Sequence, residues 1–308
     1  MVGLLSYFLI NNLLAKVNYK NITQDDKQLG IDPEVANKLA DKGVINILLF
    51  GLDQRTPDEP GRSDAMMILS LDTKKDKIKL TSIMRDSYVD IDKHGKDKLN
   101  HAYAYGGPEL AIKTINQNFN LNIKKYATVN FYSMQEIIDS VGGVEIDIKQ
   151  KEVKPVNDMM NELAYLGKYT PPHLKNAGVQ TLNGRQALAY ARTRYVGNDD
   201  FERTERQRTV LMAIFSKVKT MNVTSYPAMI SKLLPLVETN LTKTEILSLA
   251  SKAAATGFSK LEQERFPVDS ALEAKTIKGT SYLIWQKDTT IKQLYNYIFE
   301  DIKPTTGN

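Results

Sequence analysis

Three short apolar runs constrain this chain more than any other feature: residues 44–52 (VINILLFGL), 65–72 (AMMILSLD) and 77–84 (KIKLTSIM). The first is nearly continuous in apolar residues, as expected of a central strand covered on both faces. Thr73-Lys74-Lys75-Asp76 reads as a polar turn, so the second and third runs form a hairpin. After Gly106-Gly107-Pro108, the apolar positions Leu110, Ala111, Ile115 and Phe119 carry helical spacing over 109–119. Residues 126–131 read as a strand, 134–141 as a helix and, past Gly142-Gly143, 144–148 as a strand. Further helices are expected at 183–191, 201–219, 226–234, 243–255 and 291–300, with late edge strands at 264–268 and 282–286. Interleaving of this kind implies the α/β class, a three-layer α/β/α single domain with a central mixed β-sheet. The domain is expected over 43–303, with a tail at 304–308.

With 42% apolar and 25% charged residues, the chain has the composition of a globular protein with a substantial core. Its net charge of +5 suits anionic partners of several kinds. Cysteine is absent, which excludes thiol catalysis, disulfides and thiolate metal sites. With only His94, His101 and His173, a histidine-rich zinc centre is not expected. At the N-terminus, VGLLSYFLI (2–10) is shorter than the ~20 residues of a membrane span. No basic residue precedes it and no small-residue cleavage site follows, unlike a signal peptide. We read 1–17 as the remnant of a membrane anchor, a docked helix being the other reading, and 18–42 as a polar stem.

The chemistry-bearing residues gather where strands end. Asp53 follows the first apolar run directly, Asp64 precedes the second, and Arg85 with Asp86 follows the third. Strand ends are where open α/β sheets collect ligands. Two carboxylates there can bind a hard cation such as Mg²⁺, which takes one or two protein carboxylates plus phosphate and water oxygens. Arg62 lies two residues before Asp64, on the same side of an extended segment.

A second arginine set lies far downstream. Arg203 and Gln207 are spaced i, i+4 and share a helix face, with Arg206 one row across. Val210, Leu211, Ile214 and Val218 continue that helix as a core-facing stripe. Arg192 and Arg194 would point apart within a helix, so the helix from Asn183 is expected to end near Arg192 and turn both into one cleft. Guanidinium grips phosphate bidentately and stays charged when desolvated. The two sets are expected to wall one phosphate pocket. A nucleic-acid face would show lysine-rich runs interleaved with aromatics, and that pattern is missing, so no nucleic-acid partner is expected.

These residues carry a family resemblance. Asn46-Ile47-Leu48, Gly51-Leu52-Asp53, Arg62-Ser63-Asp64, Ser82-Ile83-Met84-Arg85-Asp86 and Lys98-Leu99-Asn100-His101-Ala102-Tyr103 occur in order. They are followed by Val141-Gly142-Gly143-Val144, Leu182-Asn183-Gly184, Ala191-Arg192-Thr193-Arg194 and Asp200-Phe201-Glu202-Arg203 with Arg206-Gln207. Over 44–220 the chain resembles the LytR-CpsA-Psr family of Gram-positive cell-envelope glycopolymer transferases. Met84 stands where that family often has proline. The resemblance implies a phosphotransferase that moves a wall teichoic acid or capsular or secondary wall polysaccharide from polyprenyl pyrophosphate to peptidoglycan. The implied acceptor is the 6-hydroxyl of N-acetylmuramic acid. It also implies an N-terminal membrane anchor with the catalytic domain on the outer face of the cell membrane.

Carried over residue by residue, the resemblance makes Asp53 and Asp64 the Mg²⁺ ligands, with Mn²⁺ as a substitute. Arg62, Arg85, Arg192, Arg194, Arg203 and Gln207 become the pyrophosphate-binding set, and Asp53, Arg62, Asp64, Arg85 and Asp86 the catalytic group. The general base stays open among Asp53, Asp64 and Asp86, and Asp86 could instead orient Arg85. Ile112, Ile115, Ile137, Ile138 and Val141 could line a channel for the lipid, although core is the simpler reading. His101 reads as a hydrogen-bonded structural histidine that could touch substrate, and Asp199-Asp200 as a cap for the next helix. Two other functions fit the same residues: a pyrophosphatase acting on the same lipids, and a non-catalytic polyanion-binding or regulatory envelope protein.

Overall fold

The computed structural model describes residues 15–53, 61–194, 199–255 and 261–304. Within them the strands are β1 (Asn18–Tyr19), β2 (Val44–Asp53), β3 (Arg62–Asp72), β4 (Lys77–Ile83), β5 (Tyr88–Ile91), β6 (Gly95–Lys98), β7 (Lys125–Asn130), β8 (Val144–Ile148), β9 (Gly178–Leu182), β10 (Glu238–Thr239), β11 (Leu261–Phe266), β12 (Leu272–Ile277) and β13 (Thr280–Trp285). The helices are α1 (Pro33–Ala40), α2 (His101–Phe119), α3 (Phe131–Ser140), α4 (Gln150–Gly167), α5 (Gly184–Arg192), α6 (Asp199–Thr220), α7 (Tyr226–Leu233), α8 (Lys243–Ala255) and α9 (Lys287–Tyr295). The chain divides into two compact units. One, here the sheet unit, comprises Tyr19–Thr128 and Thr239–Asn308; the other, the helical unit, comprises Met1–Asn18 and Val129–Glu238.

The sheet unit is built on a sheet of strand order β1-β10-β7-β2-β3-β4-β11, with β2, β3, β4 and β11 wholly inside it. β2, β3 and β4 run antiparallel in sequence, whereas β11 joins the edge of β4 in parallel, so the sheet is mixed. The apolar continuity of β2 has a direct physical outcome. Leu48, Phe50 and Leu52 point into a large core with Ala111, Ile112, Ile115 and Phe119 of α2. Ile45, Ile47 and Leu49 pack on the opposite side with Leu71, Ile78 and Leu249, the last from α8. Helices thus cover both faces, as the α/β reading requires.

Several expectations shift in detail. α2 begins at His101, ahead of residue 109, and is broken at Gly106 and Gly107, after which Pro108 restarts it. Within the segment read as a polar stem, Ile22, Leu29, Ile31 and Leu39 are buried in the sheet-unit core. Its sparse apolar side chains belong to packing, not to a solvated rod. The strand expected at 282–286 is β13, paired antiparallel with β12 in a separate hairpin. The sequence pattern did not reveal α4, an 18-residue helix whose N3 Glu152 accepts a hydrogen bond from the Lys149 backbone N–H at 3.0 Å. Among the described residues no helix is long and apolar enough to cross a membrane. Residues 1–14, which hold most of the expected anchor, lie outside them.

In the helical unit, Ile138, Val141, Val144, Ile146, Val156, Met160, Leu182, Ala187 and Val210 form the core. Val210, Ile214 and Val218 of α6 join that cluster, as the apolar stripe on the helix predicts, while Leu211 is not among its members. Two motif glycines serve this packing. A Cβ on Gly184 would sit 2.3 Å from the Gln135 carbonyl oxygen, so only glycine lets α5 approach α3 so closely. Gly143 adopts φ +84° with the Leu182 carbonyl 2.8 Å from where its Cβ would be.

Candidate functional site

The two sequence-predicted sets fall in different units: Asp53 to Asp86 in the sheet unit, Arg192 to Gln207 in the helical unit. In the sheet unit, Asp53 ends β2 and pairs in register with Arg62, the first residue of β3. The ladder then slips, because Gly51 pairs with Ala65 and Leu52 with Ser63. Asp64 is therefore the extra residue of a β-bulge. Bulges bend a strand and re-aim its side chains, so the strict alternation expected to align Arg62 with Asp64 does not run through this point. Ser63 is buried, Asp64 is half-buried and Arg62 is exposed.

From Asp64 a line of alternating charge continues through Arg85 and Asp86 to Lys98. Arg85 Nη1 donates to Asp64 Oδ1 at 2.5 Å. Arg85 Nε lies 3.4 Å from Asp86 Oδ2, and Lys98 Nζ lies 2.8 Å from Asp86 Oδ1. These side chains are only 11–20% exposed, so solvent and salt screen them less than a surface pair. Asp86 thus has a cation beside each of its oxygens. Lys98, on β6, lies in the motif at 98–103, and no local pattern in the sequence points to this contact. Its contact depends on the β5–β6 hairpin, which pairs Tyr88 with Lys98 and Val89 with Asp97.

Beside Lys98 stands a second polar group. Asp97 Oδ2 lies 2.7 Å from His101 Nδ1 and accepts a hydrogen bond from the Tyr105 hydroxyl at 2.7 Å. The Lys98 backbone N–H donates to Asp97 Oδ1 at 2.8 Å, and the Tyr282 hydroxyl stands 3.5 Å from the same oxygen. Burial disfavours the Asp97 carboxylate, but the bonds from His101, Tyr105 and the Lys98 N–H outweigh it and hold the carboxyl below its usual range. The same bond to Asp97, with burial, raises the Tyr105 phenol, while the nearby Arg62 charge pulls it down. His94 stacks on Tyr105 with centroids 4.3 Å apart.

In the helical unit, α5 starts with a reciprocal cap. Asn183 accepts from Gln186 N–H and Gln186 from Asn183 N–H, each at 3.0 Å, while Gly184 N–H donates to Asp139 at 2.7 Å. The helix ends at Arg192, as the i, i+2 spacing predicts, and Thr193 leaves helical geometry with ψ 126°. The Arg192 guanidinium lies 3.9 Å above the Phe131 ring, a cation–π arrangement. On α6, Arg203 is buried and pairs with Asp200 at 2.9 Å, and Gln207 on the same helix is half-buried. Asp200 therefore serves Arg203, while the Asp199 side chain lies outside the described residues.

Arg206 has a structural task. It is 2% exposed; its Nη2 donates to the Thr193 carbonyl at 2.7 Å, and its Nη1 faces Glu202 at 3.2 Å and Glu152 at 3.5 Å. It thus pins the residue between Arg192 and Arg194. Only the i, i+4 spacing of Glu202 and Arg206 hinted at this; the Glu152 contact had no local signal. The suggested lipid-lining residues pack as core: Ile112 and Ile115 in the sheet unit, Ile138 and Val141 in the helical unit.

No group of three or more His, Asp or Glu side chains suited to a metal occurs among the described residues. What the bulged strand ends offer is a pair of carboxylates, Asp53 and Asp64. Such a pair fits a hard cation that completes its shell with substrate phosphate and water.

A mixed α/β sheet ending in acids and arginines, with an arginine-rich helix pair elsewhere in the chain, carries the charge pattern suited to an anionic ligand. The LytR_cpsA_psr family model matches residues 6–297, and the chain belongs to that family. It is 33% identical over 246 residues to the polyisoprenyl-teichoic acid–peptidoglycan teichoic acid transferase TagU of Bacillus cereus, covering 79% of this chain and 74% of the relative. Among solved structures, it is similar to TagT bound to LIIa-WTA, with a TM-score of 0.68, 26% identity, and coverage of 85% of this chain and 92% of the other. It also resembles the LytR-CPS2A-psr family protein YwtF (TagT) with bound octaprenyl pyrophosphate lipid, with a TM-score of 0.62, 26% identity and coverage of 84% and 92%.

Proposed function

We propose that this chain transfers a glycopolymer of the teichoic acid class from a polyprenyl-pyrophosphate carrier to peptidoglycan, at the 6-hydroxyl of N-acetylmuramic acid. The observation that carries this reading is the charge line Asp64–Arg85–Asp86–Lys98 beside Asp53 and Arg62, in a chain of this family. Phosphoryl transfer needs placement and neutralisation of charge more than covalent help from the protein. Arg62 and Arg85 bind pyrophosphate oxygens; Asp86 and Lys98 keep Arg85 in place. In the helical unit, Arg192, Arg194, Arg203 and Gln207 form the set that the family resemblance assigns to phosphate, with Arg206 fixing the backbone between the first two. Asp53 and Asp64 would hold Mg²⁺, which supplies further positive charge to the phosphates when bound. The N-terminal segment anchors the protein, and the catalytic part works on the outer face of a Gram-positive cell membrane.

The test is to incubate the purified protein with a synthetic lipid-pyrophosphate glycan, Mg²⁺ and peptidoglycan oligomers. Glycan on the oligomer with release of polyprenyl phosphate is expected. Release without glycan on the acceptor would replace transfer by hydrolysis, and absence of release would leave a polyanion-binding protein.

A further inference from the structure

The transfer reaction requires a destination for the acceptor hydroxyl's proton, and the carboxylates of the charge line are poorly placed to provide it. Asp64 and Asp86 already accept from Arg85 and Lys98. Asp53 and Asp64 are also the proposed cation ligands, and a carboxylate bound to a cation is a weaker base. Another group among the described residues of the sheet unit has the chemistry. Asp97 holds His101 at Nδ1, 2.7 Å away. Because Asp97 is ionised and also accepts from Tyr105 and the Lys98 N–H, Nδ1 must carry the hydrogen and donate it. The lone pair is then on Nε2. A carboxylate fixing one ring nitrogen so that the other can take a proton is a recurrent arrangement for a histidine base.

The surroundings keep this group near the charge line. Asp97 is the chain neighbour of Lys98, which contacts Asp86, and Arg62 acts electrostatically on Tyr105. The His101 side chain is 22% exposed, so it is not sealed within the core. The groups facing the dyad are Lys98 on β6, Tyr105 on α2, Tyr282 on β13, Arg62 on β3 and His94, stacked on Tyr105.

We propose that His101, oriented by Asp97, is the general base of the transfer; this rests on the function proposed above. The acceptor oxygen forms a bond to the glycan-linked phosphorus as its O–H proton passes to His101 Nε2. The bond from that phosphorus to the bridging oxygen breaks, and polyprenyl phosphate leaves with the electron pair. The imidazolium then returns its proton to water. Asp97 is a positioning residue and does not take the proton.

The experiment compares the full-length wild type with H101Q and D97N in the transfer assay from pH 5 to 9, alongside binding of a polyprenyl pyrophosphate. Wild-type kcat should fall tenfold per pH unit on the acid side. H101Q should lose transfer by about 10²-fold or more and lose that acid limb, with lipid binding changed less than twofold. D97N should retain an acid limb at an altered position and lower kcat more than it changes KM. A wild-type kcat independent of pH over this range overturns the proposal without recourse to any variant, and so does H101Q with wild-type rate and profile. A wild type that binds the lipid but performs no transfer overturns the function and the base together, whereas transfer that survives H101Q overturns the base alone.

Discussion

Arg206→Met tests how the helical unit holds its arginines. The methionine roughly keeps the side-chain volume but removes three contacts: the bond to the Thr193 carbonyl at 2.7 Å and the approaches to Glu202 at 3.2 Å and Glu152 at 3.5 Å. Glu202 is 27% exposed and can turn to water, so its loss is small. Glu152 is 4% exposed and keeps only its capping bond from the Lys149 N–H. Removing one partner of a buried pair costs about 3–5 kcal/mol, because the remaining charge is left desolvated. In a protein of this size that is a fall in Tm of roughly 5–8 °C. The assay is thermal and urea unfolding of R206M, E152Q and the double variant. The double variant should recover part of the single R206M loss, since it no longer buries an unpaired carboxylate. Pyrophosphate-lipid binding should also weaken, because Thr193 separates Arg192 from Arg194. A Tm within a degree of wild type, or strictly additive losses, would refute the reasoning.

Three other outcomes follow from named contacts. Asp53→Asn and Asp64→Asn should each lower transfer by about 10²-fold or more with unchanged far-ultraviolet circular dichroism, and chelation by EDTA followed by Mg²⁺ should abolish and restore wild-type transfer; full activity in EDTA would remove the cation from the mechanism. Gly184→Ala should destabilise by about 1–3 kcal/mol in urea melts, since its Cβ would meet the Gln135 oxygen at 2.3 Å; an unchanged midpoint would show that α5 can shift freely. Asp301 is depressed from 3.8 to about 2, first by its hydrogen bond from Lys77, with burial opposing and Lys79 adding to the effect. Its stabilisation is therefore present above the unfolded value and is lost as pH falls from 3.8 through about 2, so acid unfolding should be less steep in D301N than in wild type over that window.

Much of the sheet unit was legible because its signals are local. The unbroken apolar run of β2, the polar turn before β4 and the helical spacing after Pro108 each report a nearby physical requirement. Elements whose partners are remote were less legible. β12 places Glu273, Ala274, Lys275 and Thr276 between Leu272 and Ile277, too weak a pattern to read as a strand without β13 paired beside it. α4 alternates charge with scattered apolar positions, and its identity rests on packing Val156 and Met160 into the helical-unit core. At the candidate site, residue types and strand-end positions were readable, whereas the bulge at Asp64 depended on the register of β3 against β2.

The sequence by itself determined the α/β class, the acids and arginines at strand and helix ends, and the turn of chain that separates Arg192 from Arg194. These follow from periodicity and from the chemistry of each side chain. Tertiary structure alone decided the working partners: Arg85 on Asp64, Lys98 on Asp86, Asp97 on His101 and Arg206 on Thr193 and Glu152. Most of these pairs join residues on different elements, and the His101 contact needs the β6-to-α2 corner to set its direction. Such contacts form because a half-buried charge must find an opposite charge or a polar backbone group, and only the folded chain settles which one lies within reach.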